Sequence, residues 1–333
     1  MLKIGLSLTA PRASGLQTLA FGPGDTLVFA MIGQSNMVGR AAHDGGSTHP
    51  AGTRQWGRVA PNDGALIPAD HPLEHHDPNP GQMGLDITLA EAVLAAHPGV
   101  DLVLVPLADG GTGFSDNRWN PGDDLYQDAV ARLNAVMAQN PGFTFAGFLW
   151  HQGEKDVGFA GYQSALDAMI AGLRADVAAA STATPFILGD LVPGWVAGNT
   201  GRAAVQAVIS DTPARVGRTG VASAEGLTGA GADVHFTAQD LRGLGTRYFQ
   251  AWAAVFAGQG AGAPQATGTI ADQVDVLPGL PAPVTIGFIP DQTDTLGQSP
   301  PVTIGSIPDQ TDPVGLAAPQ AVGTIPDQQD IAA

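Results

Sequence analysis

The stretch Thr26-Leu27-Val28-Phe29-Ala30-Met31-Ile32-Gly33-Gln34-Ser35-Asn36-Met37 runs seven apolar or β-favouring residues directly into a glycine and a serine. The apolar run reads as a buried strand of a parallel sheet, because it lacks the polar alternation of a strand with one wet face. A Gly-X-Ser step after such a strand, leading into a helix, puts a hydroxyl in the crevice where open α/β sheets bind ligands. Gly33 supplies a tight backbone, and the following helix N-terminus supplies free N–H groups with a positive partial charge. That is a place for a nucleophilic serine and the oxyanion it creates. Taken alone, the pentapeptide from Gly33 to Met37 is read equally well as a polar turn between strand and helix.

Three downstream clusters bear on that choice. Asp101-Leu-Val-Leu-Val-Pro106 ends in Leu107-Ala108-Asp109-Gly110-Gly111-Thr112-Gly113. Phe143-Thr-Phe-Ala-Gly-Phe-Leu-Trp150 ends in His151-Gln152-Gly153-Glu154. Ala232-Asp233-Val234-His235-Phe236 precedes the last helical pattern. All lie at strand ends or in loops, so one sheet edge could gather serine, histidine, carboxylate and a glycine loop, the parts needed for acyl transfer.

The wider pattern predicts strands near 26–32, 100–107, 143–150, 185–191 and 215–223, and helices near 84–97, 123–139, 162–180, 201–211 and 237–257. Leu166, Met169, Ile170, Leu173 and Val177 form one helical stripe. Alternating strands and helices indicate a three-layer α/β/α sandwich on a mainly parallel sheet of about five strands. The Gly-, Pro- and His-rich stretch 41–82 breaks the rhythm and reads as a long binding loop.

In this order, the motifs resemble the SGNH hydrolase superfamily, with its flavodoxin-like fold. Within it, they are similar to sialate O-acetylesterase-like and acetylxylan-esterase-like carbohydrate esterases, over residues 25 to 257. The resemblance implies that Ser35 attacks an ester carbonyl and His235 is its base. Asp233 is the first candidate for the acid behind His235, although the commonest SGNH pattern has Asp three residues before His, at Ala232. Glu154 is the second, by analogy with related acetylxylan esterases. The backbone N–H groups of Ser35 and Gly111 are candidate oxyanion donors, and the resemblance adds the side-chain amide of Gln152. The implied substrate is an acetylated carbohydrate, with no cofactor and no metal. The shifted aspartate keeps a second reading open: a structural or glycan-binding protein with an esterase-like fold and impaired catalysis.

Composition narrows the partners. Of 333 residues, 31 are acidic and 14 basic, a formal net charge of −17. That disfavours nucleic acid and anionic membrane surfaces, which select basic faces. There is no cysteine, hence no disulfide or thiol chemistry. No apolar run is long enough to span a bilayer, and the first ten residues read as an arm or edge strand rather than a signal peptide. His71, His75, His76 and Asp77 crowd together, but Pro72 and Pro78 prevent a helical ligand pair, and they read as a solvated loop.

Residues 1–24 are expected to be an N-terminal arm, 25–257 the esterase domain and 258–333 a Pro- and Gly-rich tail. The tail repeats a short unit at Thr269–Asp275, Thr285–Asp294, Thr303–Asp312 and Thr324–Asp330, with Asp272, Asp291, Asp309 and Asp327 in equivalent places. Each unit is too short to bury a core of its own. A flexible acidic linker fits the composition. Repeated docking peptides on an oligomeric protein partner, or self-assembly, fit the repetition. Calcium binding fits poorly, because Pro and Gln interrupt the ligand spacing. This architecture suggests an extracellular, virion or surface assembly.

Overall fold

In the computed structural model, residues 21–258 are described, apart from Ala230 and Ala232. The expected arm up to residue 20 and the repeat tail lie outside the described residues. The chain runs through β1 (Thr26–Gly33), α1 (Ser35–Val38), β2 (Ala41–Ala42), β3 (Thr53–Trp56), β4 (Leu66–Pro68), β5 (Gln82–Met83), α2 (Asp86–Ala96), β6 (Asp101–Pro106) and α3 (Asp124–Gln139). It continues through β7 (Thr144–His151), a 3₁₀ turn (Glu154–Asp156), α4 (Tyr162–Asp176), β8 (Phe186–Gly189), α5 (Pro193–Val196), α6 (Thr200–Arg215), β9 (Thr219–Ala222) and α7 (Ala238–Phe256).

The main sheet has seven strands in the order β4-β3-β6-β1-β7-β8-β9. Every neighbouring pair is parallel except β3 with β4. The five anticipated strands are β1, β6, β7, β8 and β9. The other two arise where a loop was expected. In β3, Thr53, Gln55 and Trp56 are buried and Arg54 half-buried, which extends the sheet beyond β6. The mostly polar β3 and the glycines and prolines around both strands hid this hairpin. β2 and β5 form a separate two-stranded ribbon.

All eight residues of β1 are buried, because both faces of the sheet are covered. Leu27, Phe29 and Met31 pack with Leu89 and Val93 of α2 and Leu244 and Trp252 of α7. Val28, Ala30 and Ile32 pack with Leu133 of α3, Ile170 of α4 and Ile209 of α6. The two-residue period of a strand sends alternate side chains into the two cores. The predicted stripe on α4 is wholly buried in the second core.

This arrangement positions the site. β1 lies between β6 and β7, all three parallel, so the loops leaving their C-terminal ends emerge on one edge. That is the crevice where open α/β sheets bind ligands. No helix among the described residues is long and apolar enough to cross a membrane.

Candidate active site

The end of β1 presses against the end of β7. Gly33 pairs with His151, and the Gln34 N–H donates to the His151 carbonyl at 2.8 Å. Gly33 has φ +126°, and a Cβ there would overlap the His151 backbone. Only glycine allows this approach. Ser35 is thereby set at the first position of α1, where a helix leaves its N–H without an internal partner. A second loop is fixed by α7, whose Thr237 and Asp240 form a reciprocal capping box. His235 lies two residues before that cap.

The two loops meet at the proposed chemistry. Nε2 of His235 lies 3.0 Å from Oγ of Ser35, although 200 residues separate them in the chain. Nδ1 of His235 lies 3.3 Å from Oδ1 of Asp233. With Nδ1 protonated towards the carboxylate, Nε2 presents its lone pair to the serine hydroxyl. Burial holds the imidazole below the ordinary histidine range, opposed by Asp233 and assisted by Arg40. A neutral imidazole is the form a general base requires. The Asp233 side chain is 51% exposed, so water weakens its pull.

Asn36 ties these loops together. Its amide donates to the Val234 carbonyl at 3.0 Å and to Oε1 of Glu154 at 2.7 Å, and its oxygen accepts from the Phe236 N–H at 3.2 Å. The residues on both sides of His235 therefore hang on one side chain. Glu154 is placed behind Asn36; among the described residues it makes no hydrogen bond or ion pair with His235. Burial pushes its carboxyl up to about 7. His151 lies beside it, Nε2 4.0 Å from Oε1 of Glu154, and burial lowers this imidazole to about 3. The Tyr248 hydroxyl donates to the Trp150 carbonyl at 2.7 Å, so it accepts from Nδ1 of His151 at 3.0 Å. His151 is thus a neutral core histidine.

The N–H groups of Ser35 and Gly111 make no hydrogen bond among the described residues, and both residues line a pocket of about 460 Å³ with Arg40, Asp77, Glu154, Lys155 and His235. Gln152 is arranged otherwise than expected. Its amide nitrogen donates to the Thr112 carbonyl at 3.2 Å and to Oδ2 of Asp156 at 2.8 Å. Both N–H groups are committed, so no donor remains for an oxyanion, and Gln152 is a buried loop brace.

The bracing acid, Asp156, escaped the sequence reading. It is fully buried and accepts from the Phe114 and Ser115 N–H groups, each at 2.9 Å, holding the Gly110–Gly113 loop to the end of β7. Arg40 and Asp77 also escaped assignment. They form an ion pair, and Asp77 accepts the Gly110 N–H at 3.0 Å. A Cβ on Gly110 would run into both side chains. Arg40 and Asp156 had only closeness to the motifs as a sequence signal, and Asp77 stood out only as part of the histidine cluster read as a solvated loop.

The histidine-rich stretch is not a solvated loop. His75 is buried and its Nδ1 accepts the Ala108 N–H at 3.0 Å. His76 reaches Asp128 at 3.2 Å, and Asp77 faces the pocket. The hydrophobic turns around Leu73 draw this segment against the sheet.

Residues 25–254 match the family described as carbohydrate esterase, sialic acid-specific acetylesterase. The chain belongs to this family. Its members are grouped as carboxylic ester hydrolases acting on carbohydrates. A curated relative, the probable 9-O-acetyl-N-acetylneuraminic acid deacetylase of Escherichia coli K12, is 31% identical over 112 residues. That match takes in 28% of this chain and 34% of the relative. Among solved structures, NanS has a TM-score of 0.58 at 19% identity, covering 70% of this chain and 98% of NanS. A carbohydrate acetylesterase from Xanthomonas citri has a TM-score of 0.53 at 23% identity, covering 71% of this chain and 57% of that one. At these identities, the two structures speak for the fold.

Proposed function

We propose that this family member is a serine esterase that removes O-acetyl groups from a sialic acid-type sugar. The observation that carries the reading is the 3.0 Å contact between Ser35 Oγ and His235 Nε2, with Asp233 behind the imidazole and two free N–H groups beside the serine. Oγ attacks the acetyl carbonyl carbon while His235 takes its proton. The tetrahedral oxyanion is met by the N–H groups of Ser35 and Gly111; one such donor is worth about 3–4 kcal/mol in comparable hydrolases. The C–O bond to the sugar breaks, and His235 returns the proton to the departing oxygen. Water then attacks the acetyl-Ser35 ester, with His235 as base, and frees acetate. Asp233 orients His235 and stabilises its charged form. Glu154 acts through Asn36, by holding the loop that carries His235.

A sialic acid differs from a neutral sugar by its carboxylate. Lys155 lines the pocket, and its ammonium makes no ion pair among the described residues. It is suited to meet that carboxylate. The experiment is hydrolysis of 4-nitrophenyl acetate and of an O-acetylated sialic acid. Ser35→Ala is expected to lose at least roughly 10³-fold in kcat/KM on both; a rate equal to wild type overturns the esterase reading. Lys155→Ala is expected to raise KM about tenfold for the sialic acid ester alone, as an exchange of one charge-assisted contact implies. An equal effect on the neutral ester would remove the carboxylate role.

The repeat tail is proposed to attach the enzyme to an oligomeric partner, such as a virion or surface assembly. Its fourfold repetition supports multivalent docking.

A further inference from the structure

The stretch between β2 and α2 holds a second cluster of chemistry-bearing side chains that the esterase site does not use. His49 precedes β3, His71 follows β4, and Asp86 opens α2. Nε2 of His49 lies 2.6 Å from Oδ2 of Asp86, and Nδ1 of His71 lies 3.7 Å from the same oxygen. One ligand atom from each residue falls within 4.8 Å of the others. The side chains are only 2%, 8% and 3% exposed. We propose that His49, His71 and Asp86 form a binding site for a first-row divalent cation of the zinc type, which staples the β3–β4 hairpin to α2.

Three observations support this. Neither ring nitrogen of His71 has a hydrogen-bond partner, nor does Nδ1 of His49. Buried polar atoms in native proteins are nearly always partnered, and His71 is a ligand-type side chain aimed at a carboxylate without reaching hydrogen-bond distance. The spacing also fits. Tetrahedral zinc with bonds near 2.0 Å separates its ligand atoms by about 3.3 Å, a value bracketed by the two contacts to Asp86. The donor chemistry fits as well: two imidazoles and one carboxylate select a borderline cation over Ca²⁺ or Mg²⁺, which favour all-oxygen sets. The three residues supply three ligands, and water completes the coordination. When the cation enters, the His49 ring changes tautomer, its proton moving from Nε2 to Nδ1, and Nε2 and the Asp86 carboxylate turn to the metal.

The consequence is structural. From His71, the chain runs six residues to Asp77, which holds Gly110 and Arg40 at the esterase pocket. A cation at His71 therefore stiffens one wall of the pocket without touching the serine.

The test uses the full chain, without an affinity tag, stripped by a chelator and then titrated with Zn²⁺ or Co²⁺. Competition with a chromophoric chelator should give one tight Zn²⁺ per chain. Co²⁺ should produce visible absorption of a four- or five-coordinate N/O site. Zn²⁺ at a hundredfold excess over Kd should raise Tm by roughly 5–10 °C. His71→Asn and His49→Gln, each checked for folding by circular dichroism, should abolish all three effects, while His76→Asn should retain them. Two results would overturn the site: no saturable binding by the wild type, or unchanged binding in both variants. An equal Tm rise with Ca²⁺ would overturn the cation class.

Discussion

Asn36 connects three parts of the site: one amide spans Glu154, Val234 and Phe236. The serine before it was legible as a candidate from the strand-end motif, because a serine at a strand–helix turn has a local signature. The function of Glu154 was not legible. A glutamate near a histidine motif looks the same whether it faces the imidazole or an asparagine, and only its orientation tells them apart. Its burial leads to a test. The raised carboxyl favours the protonated form in the folded state. Its stability contribution is therefore full below the ordinary value of 4.5 and is lost as pH rises through about 7. Glu154→Gln keeps an acceptor for Asn36 and removes the titration. Urea unfolding at pH 5 and pH 8 should show the variant's stability falling less than wild type's, by roughly 2–3 kcal/mol at about 1.4 kcal/mol per pKa unit. Identical pH slopes would mean that Glu154 ionises normally.

At the scale of elements, helices α2, α3, α4, α6 and α7 stand within a few residues of their sequence-based positions; α3, α4 and α7 carry a clear apolar stripe, while α2 and α6 are read from their helix-favouring composition between strands. The hairpin β3–β4 escaped because Thr53-Arg-Gln-Trp56 is mostly polar, unlike the equally short but apolar β8, and because glycines and prolines surround both strands. The junction of the His235 loop with α7 shows how an element end serves a site. Thr237 Oγ1 accepts the Asp240 N–H at 3.1 Å, and the Asp240 carboxylate accepts back from the Thr237 N–H at 3.2 Å and the Gly229 N–H at 3.0 Å. Removing this cap by Thr237→Ala should cost about 1 kcal/mol. It should also lower kcat on 4-nitrophenyl acetate several-fold, because the loop two residues upstream loses its anchor. A Tm loss with unaltered kcat would show that the cap serves stability alone.

For the whole molecule, the proposal divides the chain into a catalytic part and an attaching tail. Truncation after Gly258 should leave kcat/KM on 4-nitrophenyl acetate within about twofold, as expected for sites in separate modules, and should abolish assembly seen by light scattering. A truncated chain that folds but does not turn over would contradict the separation. The sequence by itself determined the parallel α/β class and the order of the main elements, and it singled out Ser35 and His235, which the fold brings to 3.0 Å. These follow from apolar periodicity and from motifs confined to a few neighbouring residues. Tertiary structure alone decided that Gln152 braces a loop, that Glu154 stands behind Asn36, that Arg40, Asp77 and Asp156 build the pocket, and that His49, His71 and Asp86 converge. A polar side chain's part depends on which partner it meets and how deeply it is buried, and for residues tens to hundreds of positions apart only the closed sheet sets both.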